Sequence, residues 1–167
     1  MTAAEIIQKL NLRPHPAEGG FFAETYRAAE QIPAAALPVR YGGPRSHNTA
    51  IYYLLSPETF SEMHRLAGDE IFHFYLGDPV EMLQLREDGS GERVLLGSDL
   101  AGGMAPQLVV PRRTWQGSRL VPGGKVALLG TTVAPGFEFQ DYTRAERAVL
   151  LRQYPTFQTL IVSLTRG

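Results

Sequence analysis

The stretch HRLAGDEIFHFYLGDP, running from His64 to Pro79, decides the fold. Its second half, EIFHFYLG, is rich in aromatic and other β-favouring residues and is bounded by Ala67-Gly68-Asp69 and Gly77-Asp78-Pro79. A short apolar run between such turn signals reads as a β-strand. His64, which opens the first half, and Glu70, which opens the second, stand at the edge of an aromatic wall.

Working outward, similar runs recur on both sides. GFFAETYR (20–27), TAIYYLL (49–55), FSEMHRL (60–66), VEMLQLRED (80–88) and GERVLLG (91–97) each read as a strand, as do PQLVVP (106–111), TWQGSRL (114–120) and VALLGTTVA (126–134). Asp-Gly-Ser-Gly, Ala-Gly-Gly and Pro-Gly-Gly punctuate them. Many short strands at close spacing predict a mainly β sandwich or barrel. Thr2 followed by Glu5 is a capping-box pattern, with Ile6, Ile7 and Leu10 at helical spacing behind it, so residues 2–10 form a short N-terminal helix. Near the other end Asp141 caps a helix that runs to Tyr154 and stops at Pro155; FQTLIVSL (157–164) reads equally as a last strand or a short helix. Residues 28–45 form a Pro- and Gly-bearing loop of the kind that lies over a site.

Composition narrows the function classes. The 167 residues suit one domain, 1–167. A net charge of -1 offers no basic surplus for nucleic acid. The absence of cysteine excludes disulfides, thiolate nucleophiles and zinc–thiolate or iron–sulfur centres. No apolar run matches a membrane span, and the N-terminus lacks a signal-peptide pattern, so no membrane partner and a cytoplasmic location are expected. There is no nucleophile elbow, P-loop or dinucleotide fingerprint.

Strand parity sorts the candidates. Glu70, Phe72 and Phe74 share one face; Ile71, His73 and Tyr75 share the other. With Glu70 pointing inward, His73 becomes a packing residue. A carboxylate among aromatic walls has its neutral form favoured by desolvation, a cue for function. Gln116 inward places Trp115 outside, under a helix or at a dimer contact. His47 reads as a surface loop residue and His15, between two prolines, as a turn residue. Arg45 is a candidate anion anchor, Tyr142 a candidate pocket phenol, and Phe137 and Phe139 read as core.

His64, Leu66, Glu70 and Gly77, followed by Pro111, Arg113 and Gln116, resemble the two signature motifs of the cupin superfamily, in which metal-binding members carry His-x-His, Glu and Gly, then Pro, Gly and His. Together with HPAEGGFFAETYR, TAIYYLL, DEIFHFYLGDP, VPRRTWQ and VAPGFEFQDY, they make the chain similar to the single-domain cupin-5 group, long described as a domain of unknown function. That resemblance implies a double-stranded β-helix, a jelly-roll barrel, usually assembled as a homodimer, and it brings His64, Glu70 and Gln116 to one site. Leucine and glutamine at two of the four ligand positions argue against a tightly held catalytic metal; a divalent metal, if bound, would take His64, Glu70 and Gln116. EGGFFAETY is also similar, more loosely, to a nucleotide-holding stretch of the deoxysugar-nucleotide epimerases: Phe22 and Glu24 fit, while Gly19 stands where an arginine is expected.

Two readings of function follow. In one, the protein is an isomerase or epimerase acting on a carbohydrate-like or keto substrate, with His64 as general base, Glu70 as its partner or the returning acid, and Gln116 as donor to the developing enolate oxygen. In the other, it is a non-catalytic barrel holding a small ligand between Phe72, Phe74 and Tyr53.

Overall fold

The computed structural model of the chain describes residues 1–166; Gly167, the last residue of the expected domain, lies outside them. Thirteen strands dominate: β1 (Arg13–Pro14), β2 (Phe21–Arg27), β3 (Gln31–Ile32), β4 (Arg45–Ser46), β5 (Thr49–Leu55), β6 (Ser61–Leu66), β7 (Glu70–Gly77), β8 (Val80–Leu85), β9 (Gly91–Leu96), β10 (Gln107–Val110), β11 (Trp115–Leu120), β12 (Ala127–Val133) and β13 (Tyr142–Arg144). Helices are short: α1 (Ala3–Leu10), α2 (Arg147–Gln153) and α3 (Gln158–Ser163). One sheet has the order β1-β2-β5-β12-β7-β10 and the other β13-β6-β11-β8-β9, both antiparallel, while β3 and β4 form a separate ribbon. This is the expected mainly β barrel with short terminal helices.

Local chemistry fixes the ends. Thr2 Oγ1 accepts the Glu5 backbone N–H, and Glu5 Oε2 accepts that of Thr2 at 2.7 Å, so the predicted capping box starts α1. Ile6 is buried on its inner face beside Leu54 and Leu128. The C-terminal segment differs from the expected helix over 141–154. Arg45 and the backbone of Glu138 engage the Asp141 carboxylate, and β13 pairs with β6 before α2 begins at Arg147. The segment after Pro155 is helical, as one of the two readings had it.

The barrel interior has two zones. Towards one end Phe22, Tyr53, Leu55, Phe72, Leu129 and their neighbours fill it with a packed apolar core. Towards the other, the same strands present Glu24, Thr49, Ile51, Glu70, Thr131 and Val133 to an open cavity. Period-2 alternation keeps each of these pairs, such as Phe22 and Glu24 or Glu70 and Phe72, on one face. A second core packs Met63, Leu83 and Leu85 under α2 and α3, with Trp115 against it on the outer face.

Candidate active site

The cavity is narrow, with about 50 Å³ of space open to water, and is lined by His15, Glu18, Glu24, His64, Glu70 and Tyr142 together with Thr49, Thr131 and a few apolar side chains. Its acid–base groups come from four places: the turn after β1, strand β2, the paired strands β6 and β13, and the start of β7.

His64 is held from both ring nitrogens. The β6–β11 register slips by one residue between the pairs His64–Gln116 and Ser61–Ser118, a bulge immediately before the histidine. The Glu62 carbonyl there accepts a hydrogen bond from His64 Nδ1 at 2.7 Å. A carbonyl only accepts, so Nδ1 carries the proton and Nε2 of the neutral ring offers its lone pair. That Nε2 lies 3.1 Å from Glu18 Oε2. Tyr142 stacks on the other side of the ring, with centroids 4.9 Å apart. Burial pushes the histidine pKa down.

Glu18 faces this ring because its turn is tied down at several points. Its carbonyl accepts the Glu62 N–H at 2.8 Å. His15 Nδ1 accepts the backbone N–H groups of Ala17 and Glu18, closing the turn around an imidazole whose pKa burial lowers to about 4. Gly19 follows at φ +97, and a Cβ there would lie 2.5 Å from the Phe60 carbonyl oxygen. The position where the epimerase-like stretch calls for arginine therefore admits no side chain. Burial raises the Glu18 carboxyl pKa to about 8, partly offset by Ser61. Glu18 and His64 thus share a proton across 3.1 Å at neutral pH.

Glu70 is the second acid. Its Oε2 accepts a hydrogen bond from Gln116 Nε2 at 2.7 Å. Burial raises its pKa to about 7, with the nearby Glu18 charge adding to the rise and His64, Gln116 and Thr131 opposing it. Two oxygens in this region have no hydrogen-bond partner among the described residues: Gln116 Oε1 and the buried Tyr142 hydroxyl.

The structure thus brings His64, Glu70 and Gln116 together, but in different relations from those expected. The partner of His64 is Glu18, and Gln116 is engaged by Glu70 instead of facing the cavity as an enolate donor. The expected aromatic ligand wall lies elsewhere. Phe72, Tyr53 and Phe22 are built into the apolar core with Phe74 packed against it, and none of the four lines the cavity. Tyr53 spends its hydroxyl on the Gly19 carbonyl, 2.8 Å away. Arg45 is no anion anchor: it is 2 % exposed and paired with buried Asp141 at 2.8 Å. Glu24 does line the cavity, though Arg27 holds both of its oxygens. Phe137 reaches the cavity instead of the core, and Phe139 is 56 % exposed beside His15. His73 faces outward between Thr132 and Gln107, and His47 is exposed.

Glu18 and His15 were not singled out by sequence reasoning. The available signal was an acid and an imidazole three residues apart in a Pro- and Gly-rich turn, a placement with no packing role of its own.

Comparison with known proteins gives four matches. The model of the family described as "Cupin superfamily (DUF985)" matches residues 4–145. An uncharacterized protein of Saccharomyces cerevisiae, YML079W, is 30% identical over 136 residues, covering 75% of this chain and 67% of that protein. Among solved structures, protein SO0799 from Shewanella oneidensis is similar with a TM-score of 0.88 at 30% identity, covering 100% of this chain and 99% of that one. Oxalate decarboxylase from Bacillus subtilis is similar in fold alone, with a TM-score of 0.54 at 13% identity over 92% of this chain and 37% of its own.

The Bacillus enzyme has Mn(II) centres. The residues here do not fit such a centre. Leu66 offers no donor, Gln116 is a neutral amide already bonded to Glu70, and His64 Nε2 is turned to Glu18. Among the described residues no group of three or more His, Cys, Asp or Glu side chains is arranged to hold a metal ion. Nor is any described helix long and apolar enough to cross a membrane. With the family model spanning most of its length and the whole barrel superposing on the Shewanella protein, the chain belongs to Cupin_5, the DUF985 family of the cupin superfamily.

Proposed function

We propose that the cavity performs proton transfer next to a carbonyl in a small, uncharged, carbohydrate-like substrate, an isomerase or epimerase type of reaction. The observation that carries this reading is the Glu18–His64 pair: a carboxyl and an imidazole 3.1 Å apart, with the far ring nitrogen locked to a carbonyl. Such a pair takes up and returns a proton without losing its geometry. Glu18 is the more exposed partner, at 13% against 2% for His64. In its ionised form, populated as pH rises towards about 8, Glu18 meets the substrate C–H and accepts the proton, while His64 holds its other side.

The electron pair left on carbon moves to the carbonyl oxygen. Glu70, protonated up to about pH 7, donates a hydrogen bond to that oxygen, and Gln116 holds Glu70 in place. Tyr142 brings a buried hydroxyl with no protein partner among the described residues, suited to a substrate hydroxyl. The charge of the lining favours an uncharged substrate: it has three carboxyl groups and no lysine or arginine. An anionic keto acid would bring its charge beside them with no cation in the lining to meet it.

The reading is tested by incubating the protein in D₂O with a panel of uncharged aldoses and ketoses and following deuterium incorporation at the carbon beside the carbonyl. The expected result is incorporation with a bell-shaped pH profile whose limbs fall near 7 and 8, the values of Glu70 and Glu18. Glu18→Gln should cut the rate by roughly a hundredfold or more. Silence across the panel, or exchange that survives Glu18→Gln, overturns the reading. A sugar that binds without exchanging supports the non-catalytic barrel instead.

A further inference from the structure

We propose that a groove on the outside of the five-stranded sheet, where Arg40, Arg65 and Arg112 converge, binds a multiply charged anion of the phosphate class. The groove is open to solvent, offers about 420 Å³ and is separate from the acid-lined cavity, although Leu66 borders both. Arg113 completes its cationic lining. The chain as a whole has 16 basic and 17 acidic side chains, so the concentration of positive charge is local.

Three features separate this groove from scattered surface arginines. First, two of the guanidinium groups are held in place. Arg65 lies over the Trp115 ring at 4.4 Å, and Arg40 lies over Tyr41 at 4.7 Å while its Nε donates to the Ala67 carbonyl. A guanidinium fixed on an aromatic face loses less freedom when it grips an oxyanion.

Second, the charges are not spent internally. Among the described residues none of Arg40, Arg65 and Arg112 forms an ion pair. The acids nearby are otherwise engaged. Asp141 pairs with buried Arg45, Asp69 accepts the backbone N–H of Arg112, and Glu87 pairs with Arg113.

Third, Arg113 has φ +68, in the left-handed region that favours glycine, at the position where the second cupin motif carries glycine. Strain of this kind persists where a site requires it. Three unspent guanidinium groups within one groove match a phosphate carrying two or more charges better than a single carboxylate. The net negative charge of the chain favours a small anion over a nucleic acid.

Trp115 is the chain's single tryptophan and lies under Arg65, so its fluorescence reports on the groove. Inorganic pyrophosphate is titrated into the full chain at constant ionic strength, with calorimetry in parallel. The expected result is a saturable fluorescence change and a matching heat, with a dissociation constant below about 1 mM. Arg112→Ala and Arg40→Ala, both at exposed positions, should each weaken binding about tenfold while leaving the thermal midpoint unchanged. No saturable binding, an equal response to chloride, binding that leaves Trp115 unaffected, or wild-type affinity in both variants overturns the proposal. So does a response to a short oligonucleotide with none to pyrophosphate.

Discussion

Replacing Glu70 with glutamine should make the protein more stable in alkaline solution and leave it nearly unchanged in acid. Glu70 is buried among apolar walls, with Glu18 close by, and its pKa rises from an ordinary 4.5 to about 7. A raised folded-state value means the folded protein binds the proton more tightly than the unfolded chain. The stability this contributes is whole below pH 4.5 and is lost as pH rises through about 7. At 1.36 kcal/mol per pH unit, forcing this group to ionise in the folded protein costs about 3 kcal/mol. Glutamine keeps the shape and still accepts the Gln116 amide hydrogen, which Glu70 now takes at 2.7 Å, but it never ionises. Urea unfolding of wild type and Glu70→Gln at pH 5 and pH 8.5 measures the effect. The two proteins should lie within about 1 kcal/mol at pH 5, and the variant should be more stable by up to about 3 kcal/mol at pH 8.5. Equal stabilities at pH 8.5 would refute the claim that Glu70 is a desolvated acid held beside a like charge.

Further expectations follow from the same geometry. Tyr142→Phe removes a hydroxyl with no partner among the described residues, so it should cost less than about 1 kcal/mol of stability while weakening ligand binding; a larger stability loss on denaturation contradicts the geometry. Asp141→Asn leaves the Arg45 charge buried without its counter-ion and should destabilise the fold by about 3–5 kcal/mol, read from the unfolding midpoint; a neutral result would mean that Arg45 is solvated. Nitrogen-15 NMR of the histidine rings at pH 8.5 should find the His64 proton on Nδ1 and the His15 proton on Nε2, the two opposite tautomers, and the reverse assignment would undo the proton sharing with Glu18.

Most of the scaffold was legible because alternation and turn chemistry are local. TAIYYLL is β5 and EIFHFYLG is β7, residue for residue, since each is flanked by residues that favour turns. Parity also placed Trp115 outside and Gln116 inside. The site was harder for two physical reasons. Sharing a face with Glu70 put Phe72 and Phe74 inside the barrel, but period 2 does not say at which depth the interior changes from packed hydrocarbon to open cavity. Glu18 and His15 sit in a turn whose existence is local but whose direction is set by contacts with Glu62 and Phe60, more than forty residues away in the chain. Asp141 illustrates the same limit: a helix-capping residue by sequence, it is claimed instead by Arg45 from the distant strand β4.

Glu62 works with both of its ends. Its main-chain oxygen sets which nitrogen of His64 is protonated, while its carboxylate, 1% exposed, gathers Arg144 and the backbone and side chain of Arg166. Docking of the C-terminal segment is therefore mechanically joined to the orientation of one imidazole. A substitution that unseats Arg144 or Arg166, though it touches no part of the cavity, should allow that ring to swivel and blur its tautomer. Sequence drift around Arg144 and Arg166 is then a means of retuning the centre from behind.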